Sequence, residues 1–288
     1  MKKFKKVYVE ITNICNLNCS FCPKHNRKAQ NMSAKNFNYI LQRIKHLTDF
    51  VCLHLMGEPL LNPKLDKILQ IANENNIKIN LSTNGTLLKE KIDVLTNNKI
   101  HKLTISLHSY EANTHRQTLD EYLDNILFAV NILHKKNQDT IIEFRLWNEG
   151  DLTNKNNLNA KILKKLCSTY NFSEQISAER KNWTLAPNIF LGFDNAFVWP
   201  VETIDKPHTC KPKFCQALRT HFGILCDGTV VPCCLDNNGQ IKLGNIFEEN
   251  IDKILSSDRA KNIYNGFSNR KTNEELCKNC QYTTKFDK

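Results

Sequence analysis

At 288 residues the chain can hold one large α/β domain and a smaller appendage around a buried core. With 41% hydrophobic and 24% charged residues it has an ordinary globular composition, and no apolar run approaches the roughly 20 residues that span a bilayer, which argues against a membrane-spanning protein. The formal charge of +11 leaves two readings open: solvated lysine- and asparagine-rich faces, which is favoured, or an acidic or nucleic-acid partner, which is not.

The basic start Met1-Lys2-Lys3-Phe4-Lys5-Lys6 leads into a short apolar stretch interrupted by Glu10, with no cleavage site behind it. It reads as a strand with a charged lead-in, not a signal peptide, and a cytoplasmic protein is expected. Short apolar runs at 7–11, 50–56, 77–81, 102–107 and 141–146 predict strands. Longer amphipathic runs at 34–47, 63–75, 87–96, 113–135 and 158–170 predict helices between them, and 188–193 is a further candidate strand. Repeated β–α order implies parallel strands joined by right-handed crossovers. Five or six units are too few for an eight-fold barrel, so the expected fold class is α/β, a partial (β/α)6 TIM-like barrel.

Alternate positions on these strands form largely polar rows: Tyr8, Glu10 and Thr12; Cys52, His54 and Met56; Lys78, Asn80 and Ser82; Thr104, Ser106 and His108; Glu143 and Arg145. Inner parallel strands are normally apolar on both faces. Polar rows therefore suggest a lined cavity on one side of the sheet, against the plainer alternative of solvent-facing sheet edges. Beyond Pro200 the texture changes. Asp227-Gly228 between two β-rich runs is a hairpin signature, and two short helices follow, at 251–255 and 258–264. The expected domains are 1–204 and 205–288.

Twelve cysteines are concentrated at the two ends, with only Cys52 and Cys167 between. Disulfides are rare in a reducing cytosol, so such clustering points to metal centres, one per end. Cys15, Cys19 and Cys22 lie directly after the first strand in the pattern C-x3-C-x2-C. Three thiolates so spaced can wrap three irons of a cubane and leave the fourth open to a small molecule. A zinc site, or a four-thiolate cluster completed from elsewhere, is the alternative.

The segment from Val9 to Cys22 closely resembles the first strand and cluster loop of radical S-adenosylmethionine (SAM) enzymes. Met56-Gly57-Glu58-Pro59 is similar to that family's Gly-Gly-Glu-Pro, with Met56 replacing the first glycine, and Ser82–Thr86 resembles the element after its third strand. The resemblance implies a [4Fe–4S] cluster on Cys15, Cys19 and Cys22 whose open iron is chelated by SAM. It further implies adenine contact by Phe21, and a grip on the methionine amino group by the backbone near Gly57 together with Glu58. Ser106 stands where the family often places a polar residue on the SAM ribose. Asn84 and His108 are candidates to face SAM or substrate, against an ordinary packed or solvated role. Glu143 and Arg145 either pair with each other or present charge to a substrate.

Cys215 and Cys233 flank the hairpin as C-x12-G-x4-C, and Cys277-x2-Cys280 follows. This resembles the twitch domain, the shortened form of the SPASM auxiliary-cluster domain, and implies a second [4Fe–4S] cluster on these four cysteines, with zinc as the alternative. Cys210, Cys226 and Cys234 have no assigned partner. Two clusters would lower the formal charge of +11 to about +8.

The function implied is a radical SAM oxidoreductase or maturase. It would cleave SAM reductively to a 5′-deoxyadenosyl radical and abstract hydrogen from a peptide or small polar metabolite, with the auxiliary cluster as electron acceptor. A reductant such as flavodoxin or ferredoxin is the expected partner. An RNA-modifying enzyme of the same chemistry and a non-catalytic iron–sulfur carrier are the competing readings.

Overall fold

The computed structural model describes residues 3–114, 117–148, 158–174, 176, 180–195, 198–203, 214–278 and 280–286. The elements run β1 (Val7–Val9), α1 (Ala34–Ile44), β2 (Phe50–Cys52), α2 (Leu65–Glu74), β3 (Lys78–Thr83), α3 (Ile92–Thr96), β4 (Lys102–Ser106), α4 (Leu119–Lys136), β5 (Ile141–Asn148) and α5 (Leu158–Thr169). They continue with β6 (Asn182–Ala186), β7 (Ile189–Asn195), β8 (Gly223–Ile224), β9 (Thr229–Val231), β10 (Gly244–Asn245), α6 (Ile251–Leu255), α7 (Asp258–Ser268) and α8 (Glu275–Lys278). The boundary expected near residue 205, and Cys210, lie outside the described residues.

The chain falls into two compact units, one of Met1–Cys15, Cys22–Lys78 and Phe197–Lys288, the other of Asn16–Phe21 and Ile79–Ala196. In the first, β1 lies between β2 and β8, parallel to both, and β9 and β10 extend the sheet antiparallel. In the second, β3, β4, β5 and β7 pair in parallel, and β6 folds back antiparallel on β7. This is the β–α alternation of an open, partial (β/α)6 TIM-like barrel. The antiparallel β6 was not foreseen: its alternation of exposed and buried residues is short, and it follows a loop with no turn signature.

Local chemistry explains the helices that carry the strands. Helix α1 buries Phe37, Ile40, Leu41 and Ile44, a 3–4 spacing that places all four on one stripe, and Ser33 caps its start by accepting from the Asn36 N–H at 3.1 Å. Each such side chain taken from water contributes about 2 kcal/mol. Helix α4 opens with a capping box in which Thr118 and Glu121 satisfy each other's backbone donors. The hairpin between β8 and β9 turns at Gly228, whose φ of +86° and close approach to the Phe247 ring, 2.4 Å from where a Cβ would stand, both require glycine.

Candidate active site

Within the first unit, the strand leading to Cys15 is clamped by the segment that follows Cys22. The Met32 N–H donates to the Ile11 carbonyl at 2.8 Å, and the Asn13 side chain donates to Lys28 O and accepts from Gln30 N, both at 2.8 Å. Cys15 and Cys22 are themselves exposed. The Met56–Pro59 loop is fastened to the same strand end, since the Glu58 N–H donates to the Ile14 carbonyl at 2.8 Å. Gly57 has φ +74°, and a Cβ there would stand 2.4 Å from Thr12 O. Met56 is not among the residues at positive φ, which is the physical reason a methionine can replace glycine there. Glu58 is buried, and its carboxylate accepts from the Leu60 N–H at 3.1 Å, capping the short turn at Pro59–Leu61.

Within the second unit, Asn16, Cys19 and Phe21 meet the ends of β3 and β4. Asn84 donates to the Asn16 side chain at 2.9 Å and accepts from the Thr86 N–H and hydroxyl, at 3.0 and 2.7 Å. The Cys19 sulfur accepts from Asn113 Nδ2 at 3.0 Å, and the Asn113 side chain also accepts from the Asn18 N–H. The Phe21 ring lies 5.1 Å from that of His108, centroid to centroid. His108 is buried and bonded through Nδ1 to the Arg145 carbonyl at 3.2 Å; burial pulls its pKa down to about 4, so it is neutral near pH 7. Ser106 ends β4 half-buried.

Glu143 and Arg145 pair with each other. Arg145 Nη2 and Lys102 Nζ reach the same Glu143 oxygen at 3.3 and 3.1 Å, and the Thr104 hydroxyl donates to it at 3.1 Å. Burial pushes the Glu143 pKa up, but the two cations and the hydrogen bonds outweigh it, so the carboxyl stays below its usual range. A cavity of about 720 Å³ in this unit is lined by α4 and α5 residues such as Phe128, His134 and Lys165, and not by these polar strand faces.

The C-terminal cysteines occupy a different environment. Cys233 and Cys277 are raised well above the usual thiol pKa, first by burial and then by neighbouring thiols; Cys215, Cys234, Cys277 and Cys280 all act on Cys233. Cys277 sits on α8, whose approach is fixed by a two-pronged ion pair of Arg259 with Glu274, both bonds 2.8 Å. Burying sulfur donors together disfavours their ionised forms unless a metal centre supplies the positive charge, so the donor set suits an iron–sulfur cluster. Among the described residues no three His, Cys, Asp or Glu side chains are arranged to hold a single metal ion. Cysteines on a cubane bind different irons and stand farther apart than those on one zinc.

The remaining thiols separate by their partners. Cys226 is buried and donates to the Glu10 carbonyl at 3.0 Å, so it is protonated and packed. Cys234 points to the Tyr8 hydroxyl and packs against Tyr8, Cys52, Leu55, Leu225 and Val231. Asn113, Arg27 and Asn237 were not foreseen, because single polar residues in loops carry no periodic or spacing signal.

A family model described as the radical SAM superfamily matches residues 9–147, and one described as an iron–sulfur cluster-binding domain matches residues 215–281. An uncharacterised protein of Methanocaldococcus jannaschii is 33% identical over 115 residues, 38% of this chain and 40% of that protein. Against the first of the relatives found, this chain thus spans about two fifths of their length. A GTP 3′,8-cyclase of Aquifex aeolicus is 23% identical over 90% of both chains. Among solved structures, BtrN in complex with AdoMet and 2-DOIA superposes with a TM-score of 0.58 at 20% identity, covering 98% of this chain and 94% of that one. The anSMEcpe enzyme with bound AdoMet and a Cp18Cys peptide gives 0.60 at 17% identity, covering 96% and 86%. At such identities these structures speak for the fold alone. The two domain matches fall on the three-cysteine loop with its Gly57 turn and on the clustered thiols of the C-terminal region, and they imply SAM and [4Fe–4S] clusters as cofactors; the chain carries a radical SAM superfamily domain followed by an iron–sulfur cluster-binding domain of SPASM/twitch type.

Proposed function

We propose that this enzyme is a cytoplasmic radical SAM oxidoreductase or maturase acting on a peptide or a small polar metabolite. In this reading Cys15, Cys19 and Cys22 hold the radical-generating cluster, and Cys215, Cys233, Cys277 and Cys280 hold an auxiliary one. The observation that carries it is the clustering of four thiols, with Cys215 and Cys280 acting on both Cys233 and Cys277, Cys280 buried and the other three half-buried, since four thiolates saturate a cluster and suit it to electron transfer rather than substrate chelation. Residues 1–204 then form the radical core and 205–288 the auxiliary-cluster domain. When bound, the reduced first cluster supplies an electron that cleaves SAM, giving a radical that removes hydrogen from the substrate.

The chain's own residues hold the reactants. Gly57 and Glu58 shape the seat of the methionine moiety, Phe21 offers a flat apolar face to the adenine, and Asn84 and Ser106 supply polar contacts at the strand ends. His108, kept neutral by burial, can donate or accept one hydrogen bond without bringing charge to the site. Glu143 is held ionised by Arg145 and Lys102 and orients that arginine for an anionic group of the substrate. Exclusion of water and of competing hydrogen donors is the fold's further contribution. Both substrate classes have support among relatives: the anSMEcpe structure contains a peptide and the BtrN structure contains 2-DOIA. A low-potential reductant such as flavodoxin or ferredoxin is the electron donor expected in this reading.

The test uses anaerobically reconstituted protein, a strong reductant and deuterium-labelled candidate substrates. Alanine at Cys277 or Cys280 should stop product formation, yet leave SAM cleavage and deuterium transfer to 5′-deoxyadenosine measurable. Normal product formation by a folded variant without the second cluster would exclude the electron-acceptor role.

A further inference from the structure

Glu10 is fully buried on the strand that leads into the three-cysteine loop, and its carboxylate is shared among three segments. Arg27 Nη1 and Nη2 donate to its two oxygens at 2.6 and 2.7 Å. The Met56 N–H donates to Oε2 at 3.1 Å, and the Cys226 N–H to Oε1 at 3.2 Å. Arg27 has a third bond: its Nε donates to the Asn237 carbonyl at 2.8 Å. Beside it the Asn26 N–H donates to Asn238 Oδ1 at 3.2 Å.

The chain positions of these groups give the arrangement its meaning. Residues 26 and 27 follow Cys22; residues 237 and 238 follow Cys233; Met56 opens the turn at Gly57 and Glu58. One carboxylate and one guanidinium therefore fasten the segment leaving the radical-cluster loop, the SAM-facing turn and the auxiliary-cluster hairpin to one another. A planar fork meets two oxygens and a carbonyl at once, which an ammonium cannot do. Neither residue is a thiol or faces the SAM seat directly, so they act through the groups they hold.

We propose that Glu10 and Arg27 are positioning residues that couple the auxiliary-cluster domain to the SAM-binding turn. The inference rests on the assignment of Gly57 and Glu58 to the SAM site. It predicts that weakening the fork lowers SAM affinity even in protein that stays folded and fully loaded with iron. A purely structural ion pair would lower the melting temperature and leave the affinity of the folded fraction untouched.

The experiment compares wild type with Glu10→Gln, Arg27→Gln, the double variant and Arg27→Lys, all matched for iron content and checked by circular dichroism. SAM affinity is read by equilibrium binding, and backbone mobility at residues 56–58 and 236–238 by hydrogen exchange. Arg27→Gln should weaken SAM binding about ten-fold and raise exchange in both segments together. The double variant should be no worse than the worse single, because both remove the same contact. Should Arg27→Gln fail to fold, Arg27→Lys decides, and a loss of SAM affinity is expected there too. Affinity within about two-fold of wild type in a folded, loaded arginine variant would overturn the proposal. Wild-type protein that does not bind SAM would instead sink the assignment of the site itself.

Discussion

The two sets of cysteines differ in how the chain treats them. Cys15 and Cys22 are exposed on a loop whose shape comes from backbone bonds and asparagine side chains. Cys233, Cys277 and Cys280 lie in or near the interior, and burial and neighbouring thiols hold protons on the sulfurs of Cys233 and Cys277. Those bonds tie the segments on either side of the loop to each other and leave Cys15 and Cys22 accessible. The interior set is carried differently: Cys277 sits on α8, which is four residues long and follows the Arg259–Glu274 ion pair. On the proposed assignment, cluster binding by that set is expected to contribute to the stability of the local fold.

The strongest way to break this comparison is to remove iron. Loaded protein should contain about eight irons per chain and little zinc. Chelation should destabilise the C-terminal region by several kcal/mol, on the order of the coupling seen for structural metals. Hydrogen exchange should then rise sharply at residues 214–283 and little along residues 34–114. Equal loss of protection in both regions would show that the loop also depends on its metal. Finding about four irons with one stoichiometric zinc would make the C-terminal centre structural.

The backbone scaffold of the loop can be attacked at one atom. Gly57→Ala places a methyl 2.4 Å from Thr12 O at φ +74°, and should cost about 2–4 kcal/mol, read by urea unfolding, with SAM binding lost in the folded remainder. Met56→Leu, a volume-conserving change at a buried position of ordinary φ, should change stability by only about 1 kcal/mol. Equal effects at the two positions would contradict the seat described for the turn.

A smaller effect sharpens the electrostatic side. Burial lowers the His108 pKa to about 4 from an ordinary 6.5, so the unfolded chain binds the extra proton between those values and the folded one does not. Its contribution is fully present above pH 6.5 and is lost as pH falls toward 4, by at most about 3 kcal/mol. In urea unfolding of iron-free protein, His108→Gln should flatten the stability profile between pH 6.5 and 4. An unchanged slope would place the histidine in contact with solvent.

Legibility in the sequence followed the length and regularity of the signal. Helices α1, α2, α4 and α5 were visible because a 3–4 spacing of apolar residues repeats along them, and the hairpin was visible because Asp227-Gly228 is a turn that few other residues can make. Strand β10, two residues long, left no pattern to read. Helix α3 came out shorter than the run at 87–96, since only Ile92–Thr96 is helical and the residues before it form turns.

For the site, the three-cysteine loop, the Gly57-Glu58 turn and the C-terminal cysteine spacing were determined by the sequence alone. Metal and SAM chemistry demands particular atoms at short, fixed separations, and such demands survive as motifs. Only the tertiary structure decided which thiols share an interior, that Cys226 and Cys234 turn to Glu10 and Tyr8, and that Glu143 pairs with Arg145. It alone brought Glu10, Arg27, Met56 and Asn237 together. Bonds of this kind join residues up to 216 positions apart, through backbone groups that every residue carries, so no spacing in the chain announces them.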